Sequence, residues 1–270
     1  MAEKTEEQIA LEKLQARLTK RFHKACAEYG LIADGDHILI GLSGGKDSLL
    51  LTEMLGRRAR IHKPHFHVTA LHVRVKERDY HTDLSYLEQF CAEARVPLIV
   101  KDISLPPAPS LKGGEKTPSL QGRSGEATSP CFPCSWYRRK TLFNVAQELG
   151  CNKIAFGHHK DDVVQTLLMN LLFAGSFATM PPLLQLDKMP LQIIRPLCLL
   201  REEEIRRYAE MKGYEKQTKL CPFEHVSART KVKDLLAQME QLNPDAVSTL
   251  YNATTNIKAE YLPSPNPLIL

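Results

Sequence analysis

The chain has 270 residues, enough for one large domain or for a core domain with an appended piece. Apolar residues make up 43% and charged residues 25%, an ordinary globular composition that excludes a disordered chain. Lysine and arginine number 36 against 31 aspartate and glutamate; the net charge of +5 permits a nucleic-acid partner without arguing for one. Residues 1–20 read as a charged helix without the apolar stretch of a secretory signal. No run of about 18 apolar residues occurs, so no membrane contact and a cytoplasmic location are expected. In that reducing setting the seven cysteines (Cys26, Cys91, Cys131, Cys134, Cys151, Cys198 and Cys221) are free thiols. A close pair among them reads as a metal or redox site before a disulfide.

Apolar residues at helical spacing predict a first helix over 5–29. A buried strand over 37–42 follows, then a glycine-containing turn at 43–48 and a helix over 49–57. A β-branched strand at 68–75, a helix at 83–95 and a short strand at 97–100 come next. Residues 106–130 change character, with five prolines, four glycines and four serines: a long loop, either a surface insertion or a cover for a site. Helices at 136–149 and 161–173, strands at 153–156 and 191–194, and a helix at 202–212 continue the alternation. Helices at 230–242 and 245–259 close the chain. Strands alternating with helices imply an α/β fold with a parallel sheet covered on both faces.

Ser43-Gly44-Gly45-Lys46-Asp47-Ser48 directly follows the first strand. Adjacent glycines let the backbone approach an oxyanion, and the amides opening the next helix point at it. The two serines add hydroxyl donors, and Asp47 caps the helix or shapes the loop. The Walker A spacing is absent, so Lys46 does not take that lysine's role. Gly157-His158-His159-Lys160-Asp161-Asp162 follows another strand, at the carboxyl edge where open α/β sheets build sites. Asp161 and Asp162 can hold Mg²⁺ on a polyphosphate, handle a proton, or cap a helix. His158 and His159 can contact backbone, base or metal. Cys131-Phe132-Pro133-Cys134 is a C-x-x-C opening a helix, suited to a shared metal or cluster, with a redox disulfide as the competing reading. A cluster needs a further ligand, for which Cys221 is the best placed. Cys26, Cys91, Cys151 and Cys198 sit in apolar contexts and read as core. Arg138, Arg139 and Arg195 can serve phosphate or RNA backbone, as can the basic positions Lys13, Arg17, Lys20, Arg21 and Lys24; a solvated helix face is the alternative.

The S-G-G-x-D-S loop resembles the PP-loop of the ATP pyrophosphatase superfamily, which implies cleavage of ATP to AMP and pyrophosphate. Together with the stretches 131–139, 157–166, 180–182 and 194–197, it is similar in order and spacing to the tRNA 2-thiocytidine synthetase family (TtcA) over nearly the whole chain. The resemblance implies an adenine-nucleotide-hydrolase-like core at 31–215 carrying loop 106–130, an N-terminal helix at 1–30 and a helical segment at 216–270. It implies a dimeric cytoplasmic tRNA thiolase replacing O2 of cytidine 32 by sulfur, with ATP, Mg²⁺ and a [4Fe–4S] cluster, and a sulfur donor such as a cysteine desulfurase. Asp47, Asp161 and Asp162 would be catalytic; Ser43–Ser48, His72, Gly157 and His158 would bind the nucleotide. Cys131, Cys134 and Cys221 would hold the cluster. The family's second C-x-x-C reads Cys221-Pro-Phe-Glu224 here, leaving Cys221 as its only cysteine. A related thiolase acting on uridine and a non-catalytic iron–sulfur RNA-binding protein are the alternatives.

Overall fold

The computed structural model describes residues 5–76, 80–81, 83–105, 131–187, 189–215, 218–219 and 228–263. Loop 106–130 and Cys221 lie outside the described residues. Two compact units are present: Met1–His159 with Pro181–Val226, and Lys160–Met180 with Ser227–Leu270.

The first unit is built on a six-stranded sheet in the order β4-β2-β1-β5-β7-β6. Its members are β1 (His37–Gly41), β2 (His67–Val75), β4 (Leu98–Ile103), β5 (Lys153–Ala155), β6 (Leu183–Gln185) and β7 (Gln192–Ile194). The ladder is parallel except at the β6 edge, which runs antiparallel to β7. β3 (Tyr80–His81) and β8 (Thr218–Lys219) form a separate antiparallel pair. Ile38, Leu39 and Ile40 are fully buried, so both faces of β1 are covered, as its unbroken apolar run requires. On one face α4 (Cys131–Glu148) packs against β1, β2 and β5 through Leu142, Val145 and Ala146, over Leu39, Leu71, Val73 and Ile154. On the other, α2 (Lys46–Ala59) lies against β1 and β2, with α3 (Leu84–Ala94) and α6 (Glu202–Lys212) packed on it. α1 (Glu6–Glu28) buries Leu14, Leu18, Phe22 and Ala25, one stripe of a helix, and packs on α6. Thr5 starts α1 with a capping box to Gln8.

A buried ion pair ties the amino end of the sheet. Lys153 of β5 places Nζ 2.7 Å from Asp36 Oδ2 and donates to the Leu31 carbonyl. Asp36 also accepts from the Ala33 amide and from Asn152 Nδ2.

The second unit is helical: α5 (Lys160–Ala174) packs on α7 (Ala228–Leu242) and α8 (Ala246–Ala253), which pack on each other. The sequence reading keeps 160–180 inside the α/β core, whereas in the structure this segment packs with the C-terminal helices. α5 is apolar almost all round, so its periodicity does not say which partner it takes. Its carboxyl end exposes Leu172 and Phe173, and Phe177 just beyond is 51% exposed. No described helix is long and apolar enough to cross a membrane.

Candidate active site

β1 delivers the chain to the phosphate loop. Leu42 still donates to the Leu71 carbonyl of β2, and then the strand stops. Gly44 takes φ +81°, a left-handed turn that an L side chain resists. Gly45 is the N-cap of α2 and offers no side-chain cap. The first amides of α2 are therefore left open toward the loop, with the positive end of the helix dipole behind them. The loop braces itself: the Ser43 and Ser48 hydroxyls lie 3.1 Å apart, Ser48 Oγ donates to the Gly45 carbonyl and the Gly45 amide donates to Ser43 Oγ. Ser43 is exposed and Ser48 buried, and Ser48 is the one that holds the turn.

Gly157 closes the cradle from the side of β5. A Cβ there would lie 2.9 Å from the Asp47 carbonyl oxygen and 3.2 Å from the Ser48 amide nitrogen, so only glycine lets this turn approach the first turn of α2. The approach brings buried His159 alongside Asp47, with Nε2 3.9 Å from Oδ1. Asp47 Oδ1 is buried and accepts no hydrogen bond among the described residues. Its other oxygen takes Lys46 Nζ at 3.2 Å, and Lys46 also reaches Glu202 Oε1 at 3.3 Å. Burial works against the Lys46 charge, but Asp47 and Glu202 outweigh it and hold the ammonium above the ordinary lysine range. Lys46 is thus clamped between two carboxylates.

Glu202 escapes the sequence reading. Glu202, Glu203 and Glu204 open α6, where acidic residues simply complement the helix dipole, so nothing in the local pattern marks the first of them. Glu204 pairs with Arg17 at 2.9 Å and with Arg21, so two cations of the N-terminal basic stripe are engaged within the chain.

His72 lies on β2 beside the loop. Its Nδ1 is 2.8 Å from the Leu42 carbonyl, which fixes the tautomer with the proton on Nδ1. Nε2 is then an acceptor, buried and without a hydrogen bond among the described residues. Burial pushes this imidazole below its ordinary value against the pull of Leu42, and the charges of Arg138 and Arg74 add to the lowering. His158 sets its ring 5.7 Å from that of Phe156.

α4 begins at Cys131 and carries Cys134, which is buried, one turn on. Pro133 falls in the first turn, where a missing amide costs nothing. Arg138 is half-buried and Arg139 exposed. Arg195 is buried, donates through Nη1 to the Pro181 carbonyl at 2.5 Å, and keeps an Nε without a partner among the described residues. Its pKa is lowered by burial first and by the nearby Arg139 charge. Asp161, buried, and Asp162, half-buried, stand in the first turn of α5 in the second unit.

An uncapped helix start behind a glycine turn, at the carboxyl edge of a parallel sheet, defines a nucleotide-binding α/β protein of the phosphate-loop type. A family model described as a PP-loop domain matches residues 11–217. The tRNA-cytidine(32) 2-sulfurtransferase of Chromohalobacter salexigens is 34% identical over 259 residues, covering 95% of this chain and 86% of that protein. The protein of the same name from Shigella dysenteriae is 33% identical over 268 residues, covering 96% and 80%. The chain belongs to the PP-loop family and, within it, to the family of tRNA-cytidine(32) 2-sulfurtransferases. The solved U34-tRNA thiolase NcsA from Methanococcus maripaludis with its [4Fe–4S] cluster has the same fold, with TM-score 0.68 at 24% identity over 91% of this chain and 79% of that one.

Proposed function

We propose that the protein is an ATP-dependent tRNA sulfurtransferase that replaces O2 of cytidine 32 by sulfur to give 2-thiocytidine. The observation that carries this reading is the cradle formed by the open amides of α2, the Gly157 approach and the buried Asp47 oxygen that accepts no hydrogen bond among the described residues. Relatives of that name, a third identical over nearly the entire chain, support cytidine as the base.

In this scheme Ser43–Ser48 hold the ATP phosphates. The cytosine O2 attacks the α-phosphorus and the bond to pyrophosphate breaks. A sulfur nucleophile then adds at C2, and the C2–O bond breaks with release of AMP. The chain's part is positioning and charge stabilisation. The α2 amides and Ser43 offer donors to the oxygens on which charge gathers. Asp47 Oδ1, beside His159, is an acceptor suited to a Mg²⁺-bound water or a nucleotide hydroxyl. Asp161 and Asp162 are proposed as further Mg²⁺ anchors, with His72, Gly157 and His158 on the nucleotide. Arg138, Arg139 and Arg195 are proposed for phosphate or tRNA backbone.

Two cysteines one helical turn apart fit an iron–sulfur cluster, and Cys131, Cys134 and Cys221 are proposed to hold it. When bound, a [4Fe–4S] cluster on three thiolates supplies an iron open to an incoming sulfur atom. We propose a cytoplasmic enzyme fed by a donor such as a cysteine desulfurase, acting as a homodimer; the exposed Leu172, Phe173 and Phe177 support self-association.

Deleting the gene should remove 2-thiocytidine from tRNA digests read by mass spectrometry, and the wild-type chain should restore it. Persistence of 2-thiocytidine, or loss of a thiolated uridine in its place, would overturn the reading.

A further inference from the structure

α4 buries Cys134, Leu142, Val145 and Ala146. Trp136 lies about 200° round the helix from Cys134, at 100° per residue, and is 39% exposed. It is the chain's only tryptophan. Its surroundings are not those of a packed core residue. Lys140, one turn on, holds Nζ 5.2 Å from the ring centroid, and Tyr137 stands edge-on with centroids 4.8 Å apart at 82°. Exposed Arg139 shares this side of the helix. From residue 131 to residue 147 the sequence contains Arg138, Arg139 and Lys140 and no acidic residue. Within α4 the first acidic residue is Glu148, about three turns beyond Trp136.

A flat indole with a cation over it and a second on the same side of its helix is the chemistry that takes an unpaired base on its π-face and the adjoining phosphates on its rim. We infer that Trp136 is a stacking platform for an unpaired base of the RNA substrate, with Lys140 and Arg139 neutralising the phosphates beside it. This rests on the tRNA reading above and adds to it a contact residue outside the nucleotide site. Trp136 stands about 7.5 Å along the axis from Cys131 and on another face of the helix. The stacked base is therefore a neighbour of the one that reacts, and holding it helps keep the loop unstacked.

The test is titration of the full chain with an unmodified tRNA transcript, read by intrinsic tryptophan fluorescence and by filter binding. The wild-type indole should be quenched on binding. Trp136→Phe should keep most of the affinity. Trp136→Leu and Trp136→Ala should each weaken binding by about five- to 150-fold, the range for loss of one stacked base. Lys140→Ala should lower the slope of log affinity against log salt by about 0.7. Leucine is a good helix former on an exposed face, so a melting temperature equal to wild type is expected and checks the fold. Unchanged affinity in Trp136→Leu, or tRNA binding without quenching, overturns the platform and leaves the tRNA reading standing. Failure of the wild-type chain to bind tRNA overturns both.

Discussion

Gly157 is the residue on which the nucleotide cradle depends sterically. The atoms its missing Cβ would meet are backbone atoms of Asp47 and Ser48, which cannot rotate away. Gly157→Ala must push the turn off α2 or twist the first turn that carries the open amides. Overpacking of this kind costs about 1–3 kcal/mol. Charged to the reacting geometry, that corresponds to roughly a 5- to 150-fold fall in AMP formation from ATP. tRNA affinity should hold, since the contacts proposed for it lie elsewhere. His72 gives a different readout. Its imidazole is held low in the folded protein, so the unfolded chain binds the proton first as pH falls. Its stability contribution is intact above an ordinary histidine value of about 6.5 and is lost progressively below it. Thermal melts of His72→Asn, whose amide can still donate to the Leu42 carbonyl, should fall less steeply from pH 7 to pH 5 than those of wild type. His23, lowered by burial and then by Arg58, leaves part of the slope in place. An unaltered slope would show that His72 is not the group that titrates.

Among the elements, β1 and β5 are joined at their amino ends by a charge pair rather than by apolar contact alone. Lys153 and Asp36 are each 5% exposed or less at the side chain, and Asp36 gathers two further donors. Lys153→Met leaves a buried carboxylate short of its cation, a loss of about 3–5 kcal/mol. Urea unfolding should show that drop, and Lys153→Met with Asp36→Asn should recover part of it; full stability in the single variant would mean that the pair contributes nothing. The parts of the fold legible in the sequence are those with a long period or an unbroken apolar run: α1, β1, β2, α3 and α6 fall within a few residues of their expected ranges. β3 and β8 escape because two residues carry no period, and β6 because, unlike the equally short β5 and β7, it is largely exposed and has no buried apolar run. α8 stops at Ala253, short of the expected 259, where Thr254 and Thr255 turn their hydroxyls onto the preceding carbonyls. The site divides in the same way. The S-G-G-x-D-S loop announces itself because its chemistry is local. Glu202 and the Gly157 contact belong to pairs formed across the fold, 156 positions apart for Lys46 and Glu202, and no window of sequence contains them.

At the scale of the whole molecule the cysteines sort by environment. Cys26, Cys91, Cys134, Cys151 and Cys198 are free thiols, and all are buried. Burial pushes Cys26 up to about 12 and Cys91 and Cys151 up to about 11. Iron is bound by thiolate, so a site that opposes ionisation this strongly is a poor place for a ligand. These three are spread over α1, α3 and the turn before β5, and none shares a turn of helix with another cysteine. Cys134 differs in having Cys131 one turn away on the same helix, the spacing at which two thiolates can share a cluster. Alanine at Cys26, Cys91 or Cys151 should therefore lower the melting temperature through the small cavity it leaves while keeping the broad absorbance near about 400 nm of a thiolate-bound cluster. Alanine at Cys131, Cys134 or Cys221 should remove that absorbance from anaerobically reconstituted protein and leave ATP binding at the phosphate loop unchanged. Loss of the band in a folded Cys26→Ala, Cys91→Ala or Cys151→Ala variant would place a ligand in the core. Its retention in Cys221→Ala would strike that residue from the proposed set and leave two cysteines on α4 as the anchor.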